Sequence, residues 1–278
     1  MKFEHTQVWG FEHALRGMRN PKESWHKSDS YPIDATRYMI GPNDMRLAQQ
    51  LIRAGSVHRK FLRQIMVSVD ITAPLFWWKE FDTYHVGTTA NSTSTMHKLA
   101  TTPITKERFE IDDYNGSLQL IDPISLSIRV ECFLEDLEQL RQLYLQTKDK
   151  RYWKELIRWL PEGWLQTRTV TMTYENLAAM CSRDQRRNHK LTEWSGSFIE
   201  WARDLPYAQE FIFIDELQPD ADAVRMRIHS IVNELKGYMQ INEKTDGVLK
   251  LDLSEIYQVL GVKPEDAEQM MEVERLCA

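Results

Sequence analysis

The sequence lacks most of the features that assign a protein at sight. Its three cysteines, Cys132, Cys181 and Cys277, are far apart in 278 residues and form no CxxC pair. That spacing argues against a disulfide framework or a thiolate zinc site and favours buried apolar roles for the first two. The eight histidines form no HxxxH or HExxH pair, so no metal is expected. GxGxxG, GxxxxGK[ST] and GxSxG are all absent. A Rossmann dehydrogenase, a P-loop NTPase and an α/β-hydrolase are therefore set aside. No apolar run approaches the roughly 18 residues needed to span a bilayer. The opening Met1-Lys2-Phe3-Glu4-His5 has no apolar signal core, and the expectation is a cytoplasmic protein with no membrane partner. Excess positive charge is missing too: the net charge of −6 argues against broad nucleic-acid binding.

What is present is an ordinary globular balance, 42% apolar and 27% charged, with nine Trp and ten Tyr. The length suits one large domain or two small ones. Residues 1–42 read as irregular or weakly helical, with Pro21, Pro32 and Pro42 as breakers. Asn43 is a candidate cap for a helix through Leu47, Leu51 and Ile52 that ends near Gly55. A short helix is expected over Val57–Arg63. Ile65–Ile71 reads as a strand from its β-branched content. Pro74 starts a helix over Leu75–Phe81. Residues 82–122 are loop-rich, with turn signals at Pro103 and Asn115-Gly116 and a further one at Pro123.

From about residue 124 the pattern is helical, with Leu134, Leu137, Leu140, Leu143 and Leu145 near helical spacing. Further helices are expected over Tyr152–Leu160, Tyr174–Arg186, Thr192–Leu205 and Asp222–Leu235. A short strand, Val248–Leu251, and two small helices over Ser254–Cys277 complete the reading. The class is mixed, with helix dominant and few strands.

Two stretches could carry chemistry. Tyr84–His97 concentrates His85, Thr88, Thr89, Asn91, Ser92, Thr93, Ser94, Thr95 and His97 behind the strand-to-helix hinge. Such groups can hydrogen-bond a sugar, a base edge or a phosphate. The plainer alternative is a Ser/Thr-rich surface turn. The second stretch is Arg183-Asp184-Gln185-Arg186-Arg187-Asn188-His189-Lys190, with Arg158 as a further cation. A guanidinium fork matches phosphate oxygens, but cations at the end of a helix are also favoured by its dipole and can be solvated surface. The aromatic helix Phe76-Trp77-Trp78 is core or subunit interface.

The order of these pieces resembles the flavin-dependent thymidylate synthases. Members carry a helix, a strand, an aromatic helix opening on Ala-Pro, and then a loop reading RHRxxSxNExSxRY. Leu47–Gly55, Ile65–Ile71 and Ala73-Pro74-Leu75-Phe76 follow that progression. Leu160-Pro161, Thr167 and Asn176-Leu177, ahead of the arginine cluster and His189, resemble the family's second nucleotide-binding region. Together these pieces cover roughly residues 40–215.

The motif itself is altered. Thr83-Tyr84-His85 stands where the family has Arg-His-Arg. Thr88 replaces its serine, Ala90-Asn91 its Asn-Glu, Thr93 its second serine, and Thr95-Met96 its Arg-Tyr. The family's upstream Phe-Glu-His has no match in Phe61-Leu62-Arg63-Gln64, and Arg158 is one place off the arginine before Leu-Pro.

The resemblance implies an α+β, ThyX-like fold, helix-dominated with a small, mostly antiparallel sheet. It implies a nucleotide-binding domain over 1–240 with a helical extension over 241–278. It also implies a pyrimidine nucleotide held by Tyr84, His85, Thr88, Asn91, Thr93, Arg158, Arg186, Arg187 and His189, and a homo-oligomer, a tetramer in the family, with sites between subunits. FAD is the family's cofactor. Loss of the Arg-His-Arg contacts, each worth about 1.5–3 kcal/mol, costs flavin affinity several powers of ten.

Three functions follow. One is an enzyme transferring a one-carbon unit to a pyrimidine. The second is a nucleotide-binding or sequestering protein without that chemistry. The third is a structural or interaction protein whose polar loop is only surface.

Overall fold

The centre of the fold is a pair of nine-residue strands built on a two-residue period. The computed structural model describes residues 1–34, 37–119 and 124–217, all within one compact unit, Met1–Pro219. In chain order the first elements are strand β1 (Lys2–Trp9), helix α1 (Phe11–Arg19), the two-residue strands β2 (Tyr31–Pro32) and β3 (Tyr38–Met39), and helix α2 (Pro42–Arg53). Strand β4 (Met66–Pro74), helix α3 (Leu75–Phe81), strand β5 (Thr89–Ser92) and helix α4 (Thr95–Lys98) follow. Then come helices α5 (Leu126–Thr147) and α6 (Lys150–Trp159), strand β6 (Leu165–Thr173), and helices α7 (Tyr174–Met180) and α8 (Arg183–Asn188). A π-helical turn, Glu193–Phe198, leads into α9 (Ile199–Arg203) and α10 (Ala208–Phe211).

Four strands form an antiparallel sheet in the order β1-β4-β6-β5. On β4, Val67, Val69, Ile71 and Ala73 are buried, while Ser68, Asp70 and Thr72 between them point the other way. Successive strand side chains alternate faces, so a run of this pattern must bury one side only. β6 repeats the pattern in register, with Val69 opposite Val170 and Thr72 opposite Thr167. The open face is a polar ladder. The Thr72 and Thr167 hydroxyls lie 2.7 Å apart, and Thr169 donates to Asp70 at 2.5 Å. β6 had no counterpart in the sequence reading, because its outward half (Thr167, Thr169, Thr171) is polar and its inward half includes Gln166 and Arg168.

α3 has the expected bounds. Pro74 takes an extended ψ of 155° as its cap residue. The first two helical N–H groups, of Leu75 and Phe76, donate to the carbonyls of Trp164 and Glu162, which answers the donors that a helix start leaves open. Trp77, Trp78 and Phe81 are buried, so this aromatic helix is core within the chain. Trp78 Nε1 donates to the Gln166 carbonyl at 3.0 Å. A smaller second core lies under α5 and α6, built on Leu99, Ile104, Leu134, Leu137, Leu156 and Trp164.

Several expectations are corrected. Residues 1–42 hold β1 and α1. β1 is an edge strand of mostly polar, exposed residues, interrupted between Glu4 and Gln7 where His5 takes φ 56°, and this hides its period. The Phe11, Ala14, Leu15 and Met18 positions of α1 are a helical stripe opened by Gly10 at φ 97°, a start that a reading built on the prolines does not register. Asn43 is not the cap of α2. Gly41 holds that position, and Asp29 accepts from the Asn43 and Asp44 N–H groups instead.

Asp44 itself is buried against Arg19 at 2.5 Å. Burial pushes its carboxyl up, but bonds from Ser28, Ser30 and Arg19 together outweigh this and hold it below its usual value. Val57–Arg63 is replaced by a 3-10 turn over Lys60–Gln64. The expected helix Tyr174–Arg186 is two helices, because Ser182 is extended at ψ 159°. Part of Thr192–Leu205 is π-helical. The turn at Pro123, the elements expected over Asp222–Leu235, Val248–Leu251 and Ser254–Cys277, and the 240/241 division all lie outside the described residues.

Candidate functional site

The segment that follows α3 is held by its neighbours in a fixed path. A 3-10 turn over Asp82–Tyr84 ends α3. Gly87 then turns the chain at φ 79°, a region that costs a Cβ-bearing residue strain. Asn176, whose side chain also caps α7 through Thr173, donates from Nδ2 to the Val86 carbonyl at 2.7 Å. The chain then pairs as β5 along β6, with Asn91 opposite Thr169 and Ser92 opposite Arg168.

Thr88 Oγ1 donates to the Tyr84 carbonyl at 2.9 Å. The Thr93 N–H and Oγ1 both meet the Thr167 carbonyl, at 2.9 and 3.2 Å. Asn91 is exposed on the outer edge strand, and His85 is exposed in the turn before it.

Tyr84 points the other way, into the molecule. Its ring stacks on Trp194 with centroids 5.5 Å apart, and its hydroxyl meets the Gln185 side chain. Burial first, then Glu80 and Cys181, raise its pKa above the usual phenol value, against a smaller lowering by Gln185. His189 stacks on the same Trp194 at 4.9 Å and 11°. The π-helical turn carries Trp194, and single π-turns are frequent at functional sites. Trp194 is fully buried and donates to the Met180 carbonyl at 3.0 Å. Tyr84, His189 and, through the Tyr84 carbonyl, Thr88 are thus brought together around one indole.

Beside this stack lies an open cleft of about 520 Å³ between α3 and α8. Phe76, Lys79 and Glu80 line one wall, and Gln185, His189 and Lys190 line the other. The Leu191 N–H donates to His189 Nδ1 at 3.1 Å, which leaves the proton of a neutral imidazole on Nε2, 3.7 Å from the Glu80 carboxylate.

The arginines are placed less simply. Arg186 sits on α8 with its guanidinium engaged by Asp215 and Glu216, by the Cys181 carbonyl, and over the Phe213 ring at 5.6 Å. Arg187 follows it on α8. Arg158 lies near the end of α6, paired with Glu155. The contacts of Arg158 and Arg186 are with these groups and not with Thr88, Asn91 or Thr93.

Arg168, which sequence reasoning missed, lies on β6 opposite Ser92 of β5. It donates to Asp82 at 2.7 Å and stacks over Trp78 at 4.3 Å. A lone arginine in the core-facing register of a Thr-alternating run was the signal for it. Glu80 and Trp194 carry no local signal. Cys181 is buried and its thiol is pushed up to about 12, mainly by burial, so it is no nucleophile at neutral pH. No group of three or more metal-capable side chains occurs among the described residues, and no described helix is long and apolar enough to cross a membrane.

No protein-family model and no curated protein matches the sequence. Solved structures do match. The flavin-dependent thymidylate synthase ThyX from Helicobacter pylori, complexed with FAD and dUMP, is 16% identical over 77% of this chain and 99% of that one, with a TM-score of 0.52. A second structure of thymidylate synthase X from the same organism, also with FAD and dUMP, is 15% identical over 78% and 98%, with a TM-score of 0.53. At such identities the likeness fixes the fold, a helix-rich α+β fold with a small antiparallel sheet of the flavin-dependent thymidylate synthase kind.

Proposed function

We propose that this protein binds a pyrimidine nucleotide on a flavin-dependent thymidylate synthase fold without the flavin chemistry of those enzymes. The observation that carries the reading is the fold match, which spans 99% of a synthase chain solved with dUMP. Fold alone does not transfer activity, so the remaining support must come from the site. There α3 and the end of α8 border a cleft of about 520 Å³ lined by Glu80, Gln185, His189 and Lys190, a volume that suits a nucleotide. In this reading Tyr84, Thr88 and His189 line the ligand's environment, while Asn91 and Thr93 border it from the sheet edge. Arg187 and Lys190 supply charge for a phosphate, and Arg186 acts as the brace of α8.

FAD does not fit the donor set. Its pyrophosphate calls for charge-assisted donors, and the altered motif has Thr83, His85 and Thr95 in place of arginines. Arg168, on β6 beside that segment, is committed to Asp82 and Trp78.

The one-carbon-transfer reading is the second one, favoured by the coverage of the synthase fold. A homo-oligomer goes with either reading. It is supported by exposed Ile128, Phe133 and Leu143 on α5, a helix with only Leu134, Leu137 and Arg141 buried in the chain.

Calorimetric titration with pyrimidine and purine monophosphates tests the proposal, alongside a visible absorption spectrum of the freshly isolated protein. Pyrimidine binding by a colourless protein is the expected result. A flavin spectrum would move the conclusion to the synthase reading. Silence toward every nucleotide at millimolar concentration would leave only an interaction protein.

A further inference from the structure

We infer that Glu80 and His189 form the base-reading pair of the α3/α8 cleft, recognising the edge of a pyrimidine on which a hydrogen-bond acceptor adjoins an N–H donor. This rests on the nucleotide reading and adds to it the part of the ligand that these two residues would hold.

The geometry is specific. The Leu191 N–H occupies His189 Nδ1, so neutral His189 can only donate from Nε2. Glu80, an ionised carboxylate, can only accept. The two atoms are 3.7 Å apart, too far for a good bond to each other and close enough to serve neighbouring atoms of one ligand edge. Uracil offers O4 to the donor and N3–H to the acceptor. Cytosine offers N3 and its amino group in the same sense. A phosphate offers acceptors only and would be repelled by Glu80.

The ring of His189 is held rather than free. It stacks on Trp194 at 11°, and its side chain is 10% exposed. Trp194 is fixed in turn by its bond to the Met180 carbonyl. Glu80, on the last turn of α3, stands beside the buried Trp77, Trp78 and Phe81 that anchor the helix. Both recognising groups therefore project from fixed supports, the arrangement that lowers the ordering cost of binding. Phe76 and Leu191 offer apolar walls for the faces of the ring. Neither Glu80 nor the Glu80–His189 pair belongs to the motif segment, so the altered motif leaves this subsite whole.

The test is calorimetry on the full chain with deoxyuridine monophosphate, deoxycytidine monophosphate and 3-methyl-deoxyuridine monophosphate. The methylated probe keeps the sugar, phosphate and ring but loses the N3–H donor. It should bind wild type at least about tenfold more weakly than its parent, the loss expected for a hydrogen bond to a charged group. Glu80→Ala and His189→Phe, the second of which keeps a ring against Trp194, should each lower affinity for the better parent nucleotide by about the same factor. The two unmethylated probes decide between the uracil and cytosine edges.

Where the uridine nucleotide is the better parent, equal binding of it and its methylated form overturns the base-edge assignment and leaves the nucleotide reading intact. So do parent affinities unchanged in both variants. If neither parent nucleotide binds the wild type, the nucleotide reading itself falls and takes this assignment with it. The methylated probe needs no variant, so a variant that fails to fold does not blunt the test.

Discussion

The β5 segment and the α3/α8 cleft are both polar, yet they hold their polar groups in different states. Along Thr88–Thr93 the hydroxyls of Thr88 and Thr93 are spent on the carbonyls of Tyr84 and Thr167. In the cleft, the Nε2 of His189 and the carboxylate of Glu80 face each other at 3.7 Å without a proper bond. Exposure and availability are therefore separate properties. A Ser/Thr-rich strand can look like a binding loop and yet use its groups to fix its own path, while a half-buried imidazole with one nitrogen occupied is left to act in one direction only. The same contrast separates the arginines: Arg186 is a brace for the chain's last described turn, and its charge is already answered by Asp215 and Glu216.

Three substitutions test this contrast. The largest effect is expected from Trp194→Ala, which removes a fully buried indole touching Tyr84, His189, Trp77 and Phe198. It should cost about 3–5 kcal/mol of unfolding free energy, read by chemical denaturation. The cleft should loosen while the Thr93 amide, bonded to Thr167 on the sheet, keeps its hydrogen-exchange protection. Loss of protection at Thr93 to the same degree would mean that the two regions are one cooperative unit, and the distinction between them would not hold.

Next in size is Arg186→Ala, which takes the guanidinium from Asp215 while Glu216 keeps its pair with Arg203, and it should destabilise by about 1.5–3 kcal/mol. Unchanged stability together with lost nucleotide affinity would reassign Arg186 from brace to ligand contact. The smallest effect is expected at Asn91→Ala. Asn91 is exposed on an edge strand, so stability should stay within about 0.5 kcal/mol of wild type. A clear fall in nucleotide affinity at that unchanged stability would return β5 to the centre of the site, whereas no change in either keeps it at the border.

Parts of the site were legible early because their causes are local. Pro74 presets the turn into α3 and a β-branched run precedes it, so β4 and α3 could be read directly, as could the crowding of polar side chains behind them. His189 and Tyr84 stand out as candidates in the sequence, and they do meet, at the Trp194 indole. Their meeting place was not legible, because Trp194 reaches them from a π-helical turn that no periodic pattern announces. Glu155 and Arg158 are an i,i+3 pair on one helix and their pairing is local, whereas Arg186 looked like a free cation because Asp215 and Glu216, far along the chain, cannot be assigned to it from composition. Asp29 took the cap of α2 from Asn43 for a similar reason: a carboxylate from a preceding loop competes with the local side chain, and sequence distance does not say which will win.

By itself the sequence determined the elements whose stabilisation is short-range: the alternation that gives β4 one buried face, the proline-led aromatic helix, and the long α5 with its leucine spacing. Tertiary structure alone decided which polar groups remain unspent. Hydrogen bonds and ion pairs are exclusive, so each donor taken by a distant carbonyl or carboxylate is withdrawn from any ligand. Which donors are taken depends on where β6, α8 and the π-turn fold back, not on what stands beside each residue in the chain.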